Sequence, residues 1–335
     1  RHNAVMNAAA TRAPKSPDER QACAAEWAAG QLGLERVMLT PVSGDASFRR
    51  YFRFNAGDRS IVLMDAPPDK EDSTPFVDIA GRLRTAGLNA PDILAFDLGQ
   101  GFGLLEDFGD TLYRDLLDEK SADQWFPGLF DVLTALALEV DAEGLPEYDR
   151  DGLQAEMDLF TDWYLGRHKQ VTLSGADTNT WRELCSGLLD SAQAQQQVFV
   201  HKDFHSCNLL ATQQGPGIID FQDGLKWPFS YDLVSLLWDR YIRWPRDRLE
   251  TWMMEAYERI APGCSPEAWI RYCDLMGLQR NLKIVGIFAR LHYRDHKQGY
   301  LDMIPGFYRY LLDVLPGYPE FTDFHSLLER SECAP

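Results

Sequence analysis

The chain has 335 residues and carries 33 Lys and Arg against 51 Asp and Glu, a formal net charge of −18. Because nucleic acids and anionic membranes attract clustered positive charge, this balance argues against either of them as a partner. Hydrophobic residues make up 45% of the chain and aromatic residues 12%, which is typical of a folded globular protein. A single hydrophobic core stops growing near ~250–300 residues, so the length predicts two lobes.

The first part of the chain predicts a small α+β lobe. Residues 1–17 are expected to be a disordered or added terminus, and the stretch from Pro17 to Gly30 predicts a short helix that Gly30 ends. A second helix is predicted from Thr74 to Thr85. Short β-rich runs separated by turn residues predict an antiparallel sheet. These runs are residues 37–41, 48–54, 60–64, 93–98 and 103–106.

From residue 108 onward the pattern is mostly helical, with one β-like island at residues 198–221. The element order therefore predicts a bilobal α+β fold. Residues 18–107 form the small β-rich N-terminal lobe, and residues 108–330 form the larger, mainly helical C-terminal lobe. No apolar run reaches the ~18–20 residues of a membrane-spanning helix. The six cysteines are scattered, as is typical of free thiols in a reducing compartment, so we expect a cytoplasmic protein. We also expect it to be a monomer.

The β-like island carries the residues that point to chemistry. His201, Asp203 and Asn208 fit the pattern H-x-D-x-x-x-x-N. Asp220 follows an apolar pair, which predicts that it ends a short buried strand paired with the segment at Asn208. In phosphoryl transfer a carboxylate orients the acceptor hydroxyl and takes its proton, which is the role predicted for Asp203. Mg²⁺ prefers hard oxygen ligands, and Asn208 and Asp220 supply them. A core histidine, two turn residues and a helix cap would not explain why these residues occur together.

The same region resembles a known family of small-molecule kinases. The segments VHKDFHSCN at residues 200–208, IIDFQD at 218–223 and YDLVSL at 231–236 resemble the aminoglycoside phosphotransferase/choline kinase family. Its fold is protein-kinase-like. Within it, residues 43–53, 62–68 and 286–292 resemble the bacterial N-acetylmuramate/N-acetylglucosamine anomeric kinases of cell-wall recycling. The resemblance spans roughly residues 20 to 325.

The resemblance implies a role for each matching residue. Asp203 is then the catalytic base, Asn208 and Asp220 bind magnesium, and His201 and Asp232 are structural. The N-terminal lobe binds ATP: a turn covers its phosphates, and the main chain that follows the last strand meets adenine. The implied ATP-binding residues are Ser43, Gly44, Asp45, Ala46, Ser47, Arg49, Glu106, Asp107 and Phe108.

Two features depart from the protein-kinase pattern. The phosphate loop has one glycine, Gly44, and the third strand, at residues 61–66, contains no lysine to pair the phosphates. We expect the positive charge that pairs the ATP phosphates to come from the arginines at positions 49, 50 and 53, unless these residues form a solvated strand edge. The helix that follows offers Asp78, and no evident Glu, as their partner.

The predicted function is an ATP- and Mg²⁺-dependent kinase that converts N-acetylmuramate or N-acetylglucosamine to the sugar 1-phosphate in peptidoglycan recycling. His205 and Asp223 are candidate sugar contacts. Basic residues between positions 280 and 297 share a helix face, which is either a solvated stripe or an anion-binding wall. In the second case Arg290 and Arg294 meet the lactyl carboxylate. The alternatives are an aminoglycoside or other small-alcohol phosphotransferase, and a nucleotide-binding pseudokinase or scaffold, which the missing lysine suggests.

Overall fold

A computed structural model of the chain describes residues 16–42, 48–147 and 149–332. The described chain divides into two compact units. The first comprises the residues up to Val77 together with Pro91–Asp107, and the second comprises Asp78–Ala90 and the chain from Phe108 onward. The division after Asp107 coincides with the sequence-based boundary. Residues 78–90, which we had placed in the first lobe, cluster with the second unit.

The first unit contains one antiparallel sheet of five strands in the order β1-β2-β3-β5-β4. The strands are β1 Thr40–Val42, β2 Arg50–Ala56, β3 Arg59–Asp65, β4 Ile93–Asp97 and β5 Phe102–Glu106, and α2, Thr74–Thr85, lies between β3 and β4 in sequence. Apolar residues alternate along β2, which buries Phe52 and Phe54 on one face. These rings pack with Ala24 and Ala28 of helix α1, Pro17–Leu32. One apolar sheet face against one helix forms the core of this unit.

Helix α1 begins at the predicted residue, Pro17, but ends at Leu32, beyond the predicted end at Gly30. Ser16 caps its first turn, and its hydroxyl oxygen and the side chain of Glu19 accept reciprocal backbone hydrogen bonds. Gly30 stays inside the helix, because Gly33 takes the left-handed conformation with φ 65° and ends it there. Ser16 and Pro17, which we had assigned to the terminal segment, thus form the cap and the first residue of α1, and residues 1–15 lie outside the described chain.

The second unit is mainly helical. From residue 108 its helices are α3 Tyr113–Leu116, α4 Ala122–Leu138, α5 Arg150–Leu159, α6 Gly175–Ala194, α7 Tyr231–Leu237, α8 Arg246–Ile260, α9 Pro266–Tyr293, α10 Tyr300–Val314 and α11 Thr322–Glu332. A π-helix, Phe160–His168, continues α5, and 3₁₀ turns occupy Ser206–Asn208, Leu315–Gly317 and Pro319–Phe321. Among the described helices, none combines the length and the apolar character that crossing a bilayer requires.

The predicted β-like island consists of two separate two-stranded antiparallel sheets. Strand β6, Gln197–Val200, pairs with β9, Leu225–Pro228, while β7, Leu209–Thr212, pairs with β8, Gly215–Ile218. The sequence anticipated the pairing of the segment after Asn208 with the apolar residues before Asp220. It did not anticipate β9, which brings the chain back alongside β6.

Helix α9 depends on one close backbone approach. At Gly286 a Cβ atom would lie 2.5 Å from the carbonyl carbon of Leu159 and 2.5 Å from the backbone nitrogen of Phe160. Both neighbours are backbone atoms where α5 passes into the π-helix, so a larger residue could be accommodated only by moving a helix. The glycine therefore sets the distance between α9 and α5.

We expect Gly286→Ala to lower the free energy of unfolding by about 1–3 kcal/mol, the usual cost of overfilling a packed core. Gly128→Ala in α4 is the matched control, because nothing lies within 4 Å of its Cβ position. That substitution should be neutral or stabilising by up to about 1 kcal/mol, since alanine favours helix interiors. Urea unfolding of the three proteins measures both effects. Equal stabilities for the two variants would contradict the close approach.

Candidate active site

Asp232 fixes the start of the segment that carries the predicted base. Its carboxylate accepts hydrogen bonds from the backbone N–H groups of His201, at 2.7 Å, and Lys202, at 3.1 Å. Lys202 has φ 80°, a left-handed conformation that costs energy for a non-glycine residue. Burial raises the pKa of Asp232 to about 7, although the two N–H donors act in the opposite direction. The contacts support the structural role proposed for Asp232.

His201 connects this segment to the strand end that carries Asp220. The ring is fully buried; its Nε2 donates to the carbonyl oxygen of Ile219 at 2.9 Å, and its Nδ1 accepts from the N–H of Asp203 at 3.2 Å. This pairing requires a neutral imidazole protonated on Nε2. Burial lowers the pKa of His201 and so favours the same neutral form. His201 thereby holds Asp203 through its backbone.

The structure brings Asp203, Asn208 and Asp220 together. The Asn208 side-chain nitrogen donates to the carbonyl oxygen of Asp203 at 2.9 Å and to the carboxylate of Asp220 at 3.3 Å. The register of β7 and β8 produces this contact: Leu209 pairs with Ile218, so the start of β7 lies beside the end of β8. Asp220 turns out of β8 with φ 58°. The three residues predicted from the motif therefore form one cluster.

This cluster has the oxygen donors that magnesium requires. Both hydrogen bonds above use the amide nitrogen of Asn208, so neither of them engages its side-chain carbonyl oxygen. Among the described residues, no group of three or more His, Cys, Asp and Glu side chains could form a complete metal cage. Mg²⁺ usually binds through one or two protein carboxylates plus substrate phosphates and water. A neutral amide oxygen and one carboxylate fit that mode of binding.

A cavity of about 200 Å³ lies beside Asp203 in the second unit. Its lining residues are Asp203, His205, Asp239, Arg240, Arg280, Ile284, Phe288 and Phe307. Burial lowers the pKa of His205 to about 4, so its imidazole is neutral at pH 7. Two acids then face two arginines, and the cavity carries balanced charge within a strongly acidic protein. Its size suits a monosaccharide better than a drug-sized ligand, whose pockets span ~300–1,000 Å³.

The structure disperses the other predicted sugar contacts. Of the four, His205 lines the cavity, while Asp223 is exposed and is not among the lining residues. Arg290 is half-buried, and Arg294 is exposed and pairs with Asp295 at 2.8 Å. Neither arginine is among the residues that line the cavity. These three positions therefore have no geometric support as sugar contacts.

The basic stretch of α9 is neither a uniform solvated stripe nor a continuous wall. Arg280 and Lys283 are buried in the middle of the helix, and α9 ends at Tyr293, before Arg294 and Lys297. Periodicity predicted one helix face for all of these cations, but only Arg280, Lys283 and Arg290 lie within the helix. Of the two buried cations, Arg280 lines the cavity.

In the first unit, the predicted arginines each meet a carboxylate. Arg49 is 7% exposed, and its guanidinium lies 3.0 Å from Glu71, a partner the sequence did not suggest. Arg50 pairs with Asp65 at 2.5 Å. These contacts exclude a merely solvated strand edge. Asp78, which we had considered as the partner, instead pairs with Arg82 within its own helix.

The remaining predicted ATP contacts have mixed surroundings. Residues 43–47, including Ser43 and Gly44, lie outside the described chain. The Asp107 carboxylate accepts from Arg53 at 2.6 Å and from Ser60 at 2.5 Å, so it is engaged in structural bonds. Glu106 likewise accepts from the N–H of Asp92 at 3.1 Å. Their side chains therefore support the end of β5, which leaves the main chain as the candidate contact for a nucleotide.

Sequence reasoning missed most of the cavity wall. Asp239 and Arg240 follow α7, while Arg280, Phe288 and Phe307 come from α9 and α10. The large aromatic ring of Trp238 is a core residue and is not part of the cavity lining. One signal was present: the stretch LMGLQRNLKIVGIFA at residues 275–289 is mostly apolar, so a helix formed by it would be buried together with its few polar side chains, Arg280 among them.

Comparison with known proteins places this geometry in a family. The phosphotransferase enzyme family matches residues 39–267. The N-acetylmuramate/N-acetylglucosamine kinase of Pseudomonas aeruginosa is 45% identical over 296 residues, which are 87% of this chain and 87% of the relative. The kinase of the same name from Neisseria meningitidis is 38% identical over 302 residues, covering 87% of this chain and 89% of the relative.

Solved structures show the same fold at low sequence identity. A choline kinase from Streptococcus pneumoniae superposes with a TM-score of 0.62 at 14% identity, covering 88% of this chain and 99% of its own. The aminoglycoside phosphotransferase APH(2'')-Ib has a TM-score of 0.58 at 16% identity, covering 87% and 96%. These matches confirm the predicted α+β, protein-kinase-like fold. The chain therefore belongs to the phosphotransferase enzyme family.

Proposed function

We propose that the chain is an ATP- and Mg²⁺-dependent kinase that transfers a phosphoryl group to the anomeric hydroxyl of N-acetylmuramate and N-acetylglucosamine. The product is the sugar 1-phosphate, and the enzyme acts as a cytoplasmic monomer in peptidoglycan recycling. The names of the relatives support the substrate. The observation that carries the chemistry is the cluster of Asp203, Asn208 and Asp220, of which Asp203 lines a monosaccharide-sized cavity.

In this proposal Asp203 orients the anomeric hydroxyl and accepts its proton as the new oxygen–phosphorus bond forms. Asn208 and Asp220 would hold Mg²⁺, which neutralises phosphate charge when it is bound. His201 and Asp232 position the base through the backbone, since their hydrogen bonds are made with main-chain N–H groups and do not use the Asp203 carboxylate. His205, neutral at pH 7, can hydrogen-bond the sugar without adding charge.

The charge of the cavity bears on the choice of acceptor. An acidic cleft would favour polycationic aminoglycosides, and the net charge of −18 is compatible with such a cleft. The cavity instead sets Arg240 and Arg280 against Asp203 and Asp239. A neutral or singly anionic sugar suits these surroundings better, because a polycation would face two arginines.

A panel assay tests the proposed function. The protein is incubated with ATP, Mg²⁺ and, separately, N-acetyl sugars, aminoglycosides and choline, and both ADP and the sugar reducing end are measured. We expect ADP formation together with loss of the reducing end for the N-acetyl sugars. ADP formation only with an aminoglycoside would support the alternative acceptor. ATP binding without turnover of any acceptor would indicate a pseudokinase.

For the nucleotide, we assign Arg49 the role of the missing third-strand lysine. Protein kinases pair that lysine with a glutamate, and Arg49 has Glu71 at 3.0 Å. An arginine can donate to a carboxylate and to phosphate oxygens at once, because its guanidinium carries five N–H donors. The proposed ATP contacts are completed by residues 43–47 and by the main chain of Glu106, Asp107 and Phe108.

We expect Arg49→Met to raise the KM for ATP by about 10- to 100-fold, the equivalent of one hydrogen bond to a charged group. Glu71→Gln should raise it less, because the arginine remains but loses its orienting charge. Arg36→Met, at an exposed position of the same unit, is the control and should behave as wild type. Steady-state kinetics at saturating sugar measure the effect. An unchanged KM for ATP in a folded Arg49→Met protein would refute the assignment.

A further inference from the structure

Arg280 is a buried cation that lacks a matching charge. Its side chain is 7% exposed, and among the described residues its guanidinium donates only to the Trp238 carbonyl oxygen, at 3.4 Å, and to the Asn281 side-chain oxygen, at 3.5 Å. Both distances are at the upper limit for a hydrogen bond. Within the described chain, no carboxylate lies within 4.0 Å of the Arg280 guanidinium, which lines the cavity beside Asp203.

Lys283, a second buried cation on the same helix, has the partners that Arg280 lacks. Lys283 is about as buried as Arg280, but its Nζ lies 3.1 Å from the Tyr231 hydroxyl and 3.7 Å from Glu156. Burying a charge without a partner is costly, and such groups are normally paired. Arg280 departs from this rule at a position that faces the cavity. An anion entering the cavity would supply the missing partner.

The other charged groups of the cavity do not supply it. Asp239 accepts hydrogen bonds from the Ser206 hydroxyl and, at 3.1 Å, from the N–H of Tyr241, so its oxygens are engaged elsewhere. Arg240 adds a second positive charge; it is exposed, and its guanidinium lies over the Tyr241 ring at 4.8 Å. A buried arginine and an exposed arginine therefore both line the cavity.

We propose that Arg280, assisted by Arg240, binds a carboxylate on the acceptor, namely the lactyl carboxylate of N-acetylmuramate. The proposal rests on the proposed function and deepens it, because N-acetylglucosamine has no such group. A guanidinium can engage both oxygens of a carboxylate in parallel hydrogen bonds. With the anomeric hydroxyl at Asp203 and the carboxylate at Arg280, both ends of the sugar acid are held within one cavity of about 200 Å³.

Arg280 also has an alternative, purely structural role to be tested. Burial lowers the pKa of His205 and raises that of Asp232, and the positive charge of Arg280 lowers both. An arginine kept only to stabilise this buried region would affect every acceptor equally. A carboxylate-binding arginine would affect the acidic sugar alone, so the comparison between sugars separates the two roles.

The experiment compares three acceptors with four proteins. The acceptors are N-acetylmuramate, its neutral carboxamide and N-acetylglucosamine; the proteins are wild type, Arg280→Met, Arg240→Gln and Arg182→Gln. Arg182 is exposed on α6 and serves as the control. For Arg280→Met we expect kcat/KM for N-acetylmuramate to fall about 10- to 100-fold, mainly through KM, as for loss of a charged hydrogen bond. The values for the two neutral acceptors should change less than about threefold.

Arg240→Gln should show the same selectivity with a smaller effect, because exposed charges are screened by solvent. An equal loss for all three acceptors would make Arg280 structural and overturn the proposal. If Arg280→Met does not fold, the wild-type protein still decides: failure to prefer the acid over its carboxamide would overturn the proposal. Calorimetric binding of the same compounds separates the two hypotheses, since carboxylate-selective binding without turnover would refute the proposed function and leave the anion site standing.

Discussion

Replacing Asp203 by Asn should lower kcat by about 10²–10⁴-fold, the usual contribution of a positioned general base. The amide keeps the shape of the side chain but cannot accept the proton of the anomeric hydroxyl. The fold should survive, because Asp203 is held through its backbone: its N–H donates to His201, and its carbonyl oxygen accepts from Asn208. ADP release under saturating ATP and sugar measures the effect.

The matched control for this prediction is Glu183→Gln. It makes the same carboxylate-to-amide change at an exposed position of α6. This variant should retain wild-type kcat, and thermal unfolding should be similar for all three proteins. Activity of Asp203→Asn within about tenfold of wild type would show that another group acts as the base.

Asp220→Asn should lower kcat by about 10²–10³-fold and raise the Mg²⁺ concentration needed for half-maximal activity. The substitution removes the one carboxylate of the proposed metal pair and leaves two neutral amides, which bind Mg²⁺ weakly. Asn suits the test because Asp220 has φ 58°, a left-handed conformation that Asn adopts readily. Any loss of activity then reflects the lost charge and not backbone strain.

Titrating Mg²⁺ against activity in wild type, Asp220→Asn and Glu183→Gln measures this effect. Excess chelator should abolish turnover in wild type, and added Mg²⁺ should restore it. A Mg²⁺ dependence in Asp220→Asn that matches wild type would remove Asp220 from the metal site. Loss of kcat without any change in Mg²⁺ dependence would assign Asp220 another function.

Much of the fold could be predicted because its signals are local. The strands of the first unit are short β-rich runs between turn residues, and helix α2 begins and ends at the predicted positions, Thr74 and Thr85. The cluster of Asp203, Asn208 and Asp220 could also be predicted, since an apolar pair before Asp220 indicates a strand that returns beside Asn208. A short sequence separation made the pairing recognisable.

The cavity wall could not be predicted because it is assembled from distant segments. Arg240 follows α7 and Arg280 lies in the middle of α9, and no local pattern connects them. Helical periodicity predicted that Arg280, Arg290 and Arg294 share a face, but it shows neither that the helix ends at Tyr293 nor which part of a face other helices cover. Similarly, Glu71 was missed because it precedes α2, whereas a partner for Arg49 was sought inside that helix.

The most direct test of the central claim is the position of the transferred phosphate. The wild-type protein is incubated with ATP, Mg²⁺ and N-acetylmuramate labelled with ¹³C at the anomeric carbon, and the product is examined by NMR. The account predicts a ¹³C signal split by coupling to phosphorus, with no such signal when Asp203→Asn is used. Phosphate on a different hydroxyl, or a labelled sugar left unchanged while ATP is bound, would contradict it.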